Sequence, residues 1–259
     1  MFNPLALTVC PCLNPGGNLM CERCVANDSQ VLSRRGFMAG AAGLAAVTAA
    51  SPRLAFAQDA KPQNAISPDE ALKRLLDGNE RYVANAPEFR DYSAGRAARA
   101  ISQHPFAAIV SCADSRVAPE LAFDQGPGDL FVVRVAGNFI TPAGLASLEF
   151  GVKVLSIPLV MVLGHSSCGA VAATIDTIDD HPVLPGHLPD LVQAIRPAVL
   201  AAKANNPKDL LVEATAENVR FAKRDLTEGS AIIADAVGAG DVQVVGGVYN
   251  LADGKVGML

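Results

Sequence analysis

The sequence predicts an α/β protein with a mainly parallel central sheet and helices on both faces. Three observations carry the prediction. Short apolar runs recur at Ala107 to Ser111, Leu130 to Val135 and Ile157 to Leu163, and helical patterns lie between and after them, notably over 142–154. Strands that read as near-continuous apolar runs are buried on both faces, as in parallel sheets covered by helices. Each run also stops at a small or polar cluster: Cys112, Ala136-Gly137-Asn138 and Gly164-His165. Ligand sites of open α/β sheets gather at the carboxyl ends of the strands, so residues far apart in sequence are expected to converge there.

Taken in order, the first 57 residues read as a leader. Ser33-Arg34-Arg35-Gly36-Phe37-Met38 precedes an uncharged Ala/Gly-rich stretch, Ala39 to Ala50, and an Ala55-Phe56-Ala57 cleavage pattern before Gln58. Twin arginine, mildly apolar core and Ala-x-Ala are the order of a twin-arginine export signal, which places the protein in a bacterial periplasm. The apolar core is too short and too rich in alanine for a stable membrane span. Residues 1–57 are therefore expected to be removed, leaving 58–259 as one domain. Cys10, Cys12, Cys21 and Cys24 fall in the discarded part and receive no role.

In the mature chain, Ser67-Pro68-Asp69-Glu70 is a helix start, with a serine cap, proline in the first turn and glutamate three positions after the cap. Ala71, Leu72, Leu75, Leu76 and Tyr82 extend a helix to about Asn85, and a polar stretch fills 86–104. After the three strands and their helices, further helices are expected near 189–203, 208–226 and 229–238. A strand at Val242 to Tyr249, a turn at Ala252-Asp253-Gly254 and the last residues, Val256 to Leu259, complete the chain. The net charge of −5, with no cluster of lysine and arginine, gives no footprint for nucleic acid.

The chemistry lies in a split ligand set. Cys112 stands in Cys112-Ala113-Asp114-Ser115-Arg116, and His165 with Cys168 in Gly164-His165-Ser166-Ser167-Cys168-Gly169. Two thiolates and an imidazole occupy three corners of a zinc tetrahedron, and a catalytic zinc site keeps its fourth corner for water. Cys168 sits at an expected helix N-terminus, where free amides and the helix dipole favour thiolate. Two thiolates also soften the metal as a Lewis acid, so water activation needs help from outside the ligand set. Asp114 is placed to accept the water's proton in a hydrogen bond, and Arg116 to keep Asp114 ionised and aimed. Asp114 could instead swing in as a fourth ligand and switch the site off. A Cys112–Cys168 disulfide is the alternative for two cysteines in an oxidising compartment, but it needs neither His165 nor the Asp/Arg pair. His104, His181 and His187 sit in proline-rich loops and read as solvent-facing. The hydrolase elbow Gly-x-Ser-x-Gly fails, because position 168 is cysteine.

Cys112-Ala113-Asp114-Ser115-Arg116-Val117, Arg134-Val135-Ala136-Gly137-Asn138 and Gly164-His165-Ser166-Ser167-Cys168-Gly169-Ala170-Val171 together resemble a β-class carbonic anhydrase. The resemblance runs from about Ser67 to Leu259 and includes Val244 to Leu251. It implies Zn2+ on Cys112, His165 and Cys168, with Asp114 added only in a closed state, and Asp114 and Arg116 as the catalytic dyad. It also implies Gln103 as a donor to bicarbonate, Phe131 in the apolar wall for carbon dioxide, and Gly169 shaping the cleft. The implied fold adds an antiparallel edge strand to the parallel sheet. The implied assembly is a homodimer or dimer of dimers with clefts at the interface, the helix from Ser67 reaching over the partner. Ala113 departs from a frequent serine and Val135 from a frequent asparagine; neither is a ligand or a dyad member. Reversible hydration of carbon dioxide is thus the expected activity. Hydrolysis of carbon disulfide or carbonyl sulfide by the same site, and a zinc-stabilised binding protein without turnover, are the other readings the residues leave open.

Overall fold

The computed structural model describes residues 62–88, 90–180 and 183–259. The export signal, the four upstream cysteines and His181 lie outside these residues.

Helix α1 (Pro68–Val83) begins as its sequence predicts. Ser67 Oγ accepts the Glu70 amide at 3.2 Å, and Glu70 Oε2 accepts the Ser67 amide at 2.9 Å, which satisfies two otherwise orphaned donors. The chain continues through a short helix α2 (Arg96–Arg99), strand β1 (Ala107–Ser111), a short helix α3 (Pro119–Ala122) and strand β2 (Leu130–Arg134). Then come α4 (Pro142–Lys153), β3 (Leu159–His165), α5 (Gly169–Asp180), α6 (Leu188–Ala204), α7 (Leu210–Gly229), α8 (Ala231–Ala239), β4 (Gln243–Tyr249) and β5 (Val256–Met258). The polar stretch 86–104 contains α2, and α3 follows the first ligand; both are single turns too short for an apolar period to reveal. Strand β3 starts and ends two residues later than its apolar run, so His165 belongs to the strand itself.

The strands form one sheet in the order β2-β1-β3-β4-β5. All pairings are parallel except β4 with β5, the antiparallel edge expected from the resemblance. Every residue of β1 and β3 is buried, which explains their lack of polar alternation. Successive side chains nevertheless serve opposite faces. Ile109, Leu159, Met161 and Leu163 enter one core cluster with Ala71 and Leu75 of α1, while Val110, Val160 and Val162 enter another with Leu148 of α4, Val219 and Leu226 of α7 and Ile233 of α8. At about 1.5–3 kcal/mol for each large apolar side chain taken from water, these two layers dominate the favourable side of folding.

The chain leaves β1 for β2 on one side and returns to β3 on the other. The strand order therefore reverses between β1 and β3, and a crevice opens beyond their carboxyl ends. Cys112 is the residue after β1 and His165 the last residue of β3.

Candidate metal centre

The topology brings the two halves of the split motif together. The ligand atoms of Cys112, His165 and Cys168 all lie within 4.8 Å of one another, and all three residues are buried. Both cysteines are free, so the disulfide alternative is not what the structure shows. Three features suit the group to a cation. His165 Nδ1 donates to the Ser166 carbonyl at 2.9 Å, which leaves Nε2 to face the sulfurs; that buried atom has no hydrogen-bond partner among the described residues. The Cys112 thiol is pushed well below its ordinary value, chiefly by the neighbouring Cys168 thiol, with further help from His165 and the amides of Gly137 and Asp114. Cys168 is pushed up by the neighbouring Cys112 and by burial. Two close sulfurs, one of them favouring thiolate, thus lie beside a buried imidazole nitrogen. A soft divalent ion satisfies all three donors at once.

Amide groups surround the sulfurs. Gly137 N and Asp114 N donate to Cys112 Sγ at 3.2 and 3.4 Å. The Ala170 and Val171 amides, in the first turn of α5, favour the thiolate of Cys168. Val171, Ile195, Val199 and Ala214 pack around the two cysteines as an apolar shell.

Beside the ligands, Arg116 grips Asp114 as a fork: Nε lies 2.9 Å from Oδ1 and Nη2 lies 2.7 Å from Oδ2, and the Arg116 amide adds a third bond to Oδ1. The Arg116 side-chain hydrogen bonds, then its amide, hold the Asp114 carboxyl well below the usual carboxylate range. Asp114 Oδ2 is 3.9 Å from His165 Nε2, so the ionised carboxylate looks onto the ligand face while turned toward Arg116. Arg116 Nη2 also reaches the Ser167 carbonyl at 3.3 Å, which ties the dyad to the second ligand loop.

The other expected site residues are placed differently. Gln103 is exposed and borders a surface cavity of about 790 Å³ with Arg99, His104 and Asp129, and none of the three ligands lines that cavity. It precedes β1, whereas Cys112 follows it, so the strand's length of about 17 Å separates them. Phe131 pairs in register with Ala108 and packs in the α4 layer beside Gly151, toward the amino-terminal end of the sheet. Gly169 opens α5 directly after Cys168, and a Cβ built on it would meet nothing within 4 Å, so it borders open space. His104 and His187 are exposed, as expected.

Two residues that stand in the sequence motifs gain a supporting role only in the fold. Arg134, at the end of β2, donates from Nε to the Cys112 carbonyl at 2.9 Å and from Nη2 to the Asp114 carbonyl at 2.7 Å, clamping the loop that carries ligand and dyad. Ser166 accepts the Leu251 amide on Oγ at 2.9 Å and donates its own amide to the Tyr249 carbonyl at 2.9 Å, so the carbonyl that orients His165 is braced by the end of β4. A serine or arginine next to a ligand announces no such role until its partner is known.

The sequence model for carbonic anhydrases matches residues 107–256, from the first residue of β1 into β5. The chain belongs to the β-class carbonic anhydrase family. It is 42% identical over 191 residues to the carbonic anhydrase of Mycolicibacterium smegmatis, an alignment covering 73% of this chain and 92% of that one. It is 42% identical over 190 residues to carbonic anhydrase 2 of Mycobacterium tuberculosis, covering 73% and 91%. Among solved structures, a Coccomyxa β-carbonic anhydrase in complex with acetazolamide aligns with a TM-score of 0.58 and 29% identity, over 73% of this chain and 86% of that one. Membership of the β-carbonic anhydrases agrees with the Cys-His-Cys group and with the sheet whose edge strand runs antiparallel.

Proposed function

We propose that this chain interconverts carbon dioxide and bicarbonate with zinc on Cys112, His165 and Cys168. The observation that carries the reading is the juxtaposition of that ligand group with an ionised carboxylate 3.9 Å from His165 Nε2. Zinc held there supplies Lewis-acid activation of water. The chain's own groups supply the rest. Asp114 is ionised throughout the neutral range, so it is a hydrogen-bond acceptor and not a proton donor to substrate; it aims the proton of an incoming water away from the attacking lone pair. Arg116 fixes that carboxylate through two parallel bonds, a geometry that holds Asp114 out of the ligand group and so supports the open arrangement over the closed one. The apolar shell of Val171, Ile195 and Val199 limits water around the sulfurs and strengthens these polar contacts.

Stopped-flow hydration of carbon dioxide, with metal content determined on the same sample, tests the reading. Rapid hydration with about one zinc per chain is expected. Stoichiometric zinc without hydration between pH 6 and 9 would overturn it and leave a zinc-stabilised binding protein.

The working unit on this reading is a homodimer or a dimer of dimers. Gln103 and Phe131 lie toward the amino-terminal end of the sheet, away from their own chain's ligands, so they can serve substrate only across an interface. Export by the twin-arginine route to the periplasm is supported by Arg34-Arg35 and Ala55-Phe56-Ala57. No helix among the described residues is long and apolar enough to cross a membrane. Cell fractionation of the native chain against an Arg34→Lys, Arg35→Lys variant tests the address, and periplasmic recovery of the variant at the native level would refute it.

A further inference from the structure

The amide that Gly137 directs at Cys112 Sγ sits in a turn that is anchored to the rest of the molecule from a distance. Val135 to Asn138 form a β-turn closed by Asn138 N to the Val135 carbonyl at 2.9 Å, with Gly137 at φ +80° in the third position. That is the type II geometry, which requires positive φ at this residue. Its central peptide joins Ala136 to Gly137. The N–H of that peptide is the one that donates to Cys112 Sγ. Glycine meets that φ without strain, and a Cβ on residue 137 would also press to 2.4 Å from Ile195 Cδ1. Asn138, the local side chain placed to lock the turn, leaves its buried Nδ2 with no partner among the described residues.

The brace comes from 81 residues away. Asn218, in the middle of α7 and only 3% exposed, donates Nδ2 to the Gly137 carbonyl at 2.7 Å. Its own position is set by the next residue: Val219 fills the notch made by Gly164 of β3 and Gly246 of β4, where a Cβ would approach it to 2.6 and 2.8 Å. The helix that carries Asn218 is thereby seated on the strand that ends in His165. We infer that Asn218 is a positioning residue of the metal centre, anchoring Gly137 by its carbonyl against α7 so that the turn, and the amide it carries, stays seated at the Cys112 sulfur. This inference rests on the metal reading above. It assigns Asn218 a part in tuning thiolate donation to the metal, over and above the stability that any buried, satisfied amide provides.

Cobalt(II) serves as the probe, since its thiolate charge-transfer bands report the sulfur's environment directly. In the full chain, Asn218→Asp keeps the side chain's shape and removes the donor, and Asn218→Ala removes the group altogether. Either variant, once shown folded by circular dichroism, is expected to bind cobalt about ten-fold or more weakly in chelator competition and to shift the charge-transfer bands. Bands and affinity equal to the native chain, with only a lowered melting temperature, would overturn the inference and leave Asn218 a structural residue. Native protein loaded with cadmium-113 gives a readout independent of any variant: a through-bond coupling between the metal and the Gly137 amide proton is expected, and its absence also overturns the inference. Failure of the native chain to show thiolate–cobalt bands would be a different result, one that sinks the metal reading itself.

Discussion

At the scale of single residues, the site separates ligands from the groups that aim them, and the two classes fail differently. On the proposed reading Cys112, His165 and Cys168 hold the ion, so Cys168→Ser is expected to lose bound metal and activity together. Asp114 is outside the ligand group and held by Arg116. Asp114→Ala should therefore lower kcat by about a hundredfold or more, the usual worth of a positioned acid–base group, with zinc content unchanged. Native turnover, or lost zinc, in that variant would contradict the assigned role; kinetics paired with metal analysis reads both. Arg116→Lys keeps the charge but cannot form the fork, so it should fall between the two. The grouping of Cys112, His165 and Cys168 and the pairing of Asp114 with Arg116 were legible in the sequence because their residue types and spacings are chemically specific. Arg134 and Asn218 were not, since their work is done on backbone carbonyls that only the folded chain brings near, in the case of Asn218 from 81 residues away.

At the scale of elements, α1 and its surroundings show how context reverses a local rule. Gly78 lies inside α1, where replacing glycine by alanine ordinarily stabilises a helix by about 0.5–1 kcal/mol. Here a Cβ would stand 1.9 Å from the Phe123 carbonyl oxygen, because α1 crosses the end of α3 at backbone contact. Gly78→Ala is expected to destabilise the protein by about 1–3 kcal/mol in urea titration, and a stabilised variant would disprove the close crossing. The same region is tied by Asp124, whose carboxylate, 6% exposed, receives Arg81 Nε at 2.6 Å, Arg90 Nη1 at 2.9 Å and the Glu88 amide at 3.2 Å. Burial pushes the Asp124 carboxyl up, but these bonds and the two arginine charges outweigh it and leave it below the usual value. A depressed folded pKa contributes stability above the unfolded value of about 3.9 and loses it as pH falls through the folded one. Asp124→Asn tolerates the residue's φ of +46° but removes the charge and turns one accepting oxygen into a donor. It should cost about 3–5 kcal/mol at pH 7 and less at about pH 2, where the native carboxylate also loses its charge. An equal cost at both pH values would show that the charge is not what matters. The strands and long helices were legible from their apolar patterns and caps. This junction was not, because α3 is a single turn and the Asp124 cluster joins three parts of the chain through side chains with no periodicity.

At the scale of the whole molecule, sheet order decides which residues can share a site. Reversal of direction between β1 and β3 collects the ligands at one end, and the same topology sends Gln103 and the Phe131 half of β2 toward the other. In a two-fold dimer with clefts at the interface, each site would then combine the ligands of one protomer with Gln103 of its partner. Two defective chains can test this arrangement. A Cys112→Ser chain lacks a ligand and keeps Gln103; a Gln103→Ala chain keeps its ligands and lacks the donor. If the site is shared, a mixed dimer has one intact site, with ligands from the second chain and Gln103 from the first. Random pairing of equal amounts makes about half of the dimers mixed, so co-refolding should restore about a quarter of the native site content above what the two parents contribute. If Gln103 acted within its own chain, no mixed dimer could hold an intact site, and activity after co-refolding would only equal the average of the parents. Carbon dioxide hydration measured before and after subunit exchange therefore separates a site completed across the interface from one that each chain completes alone.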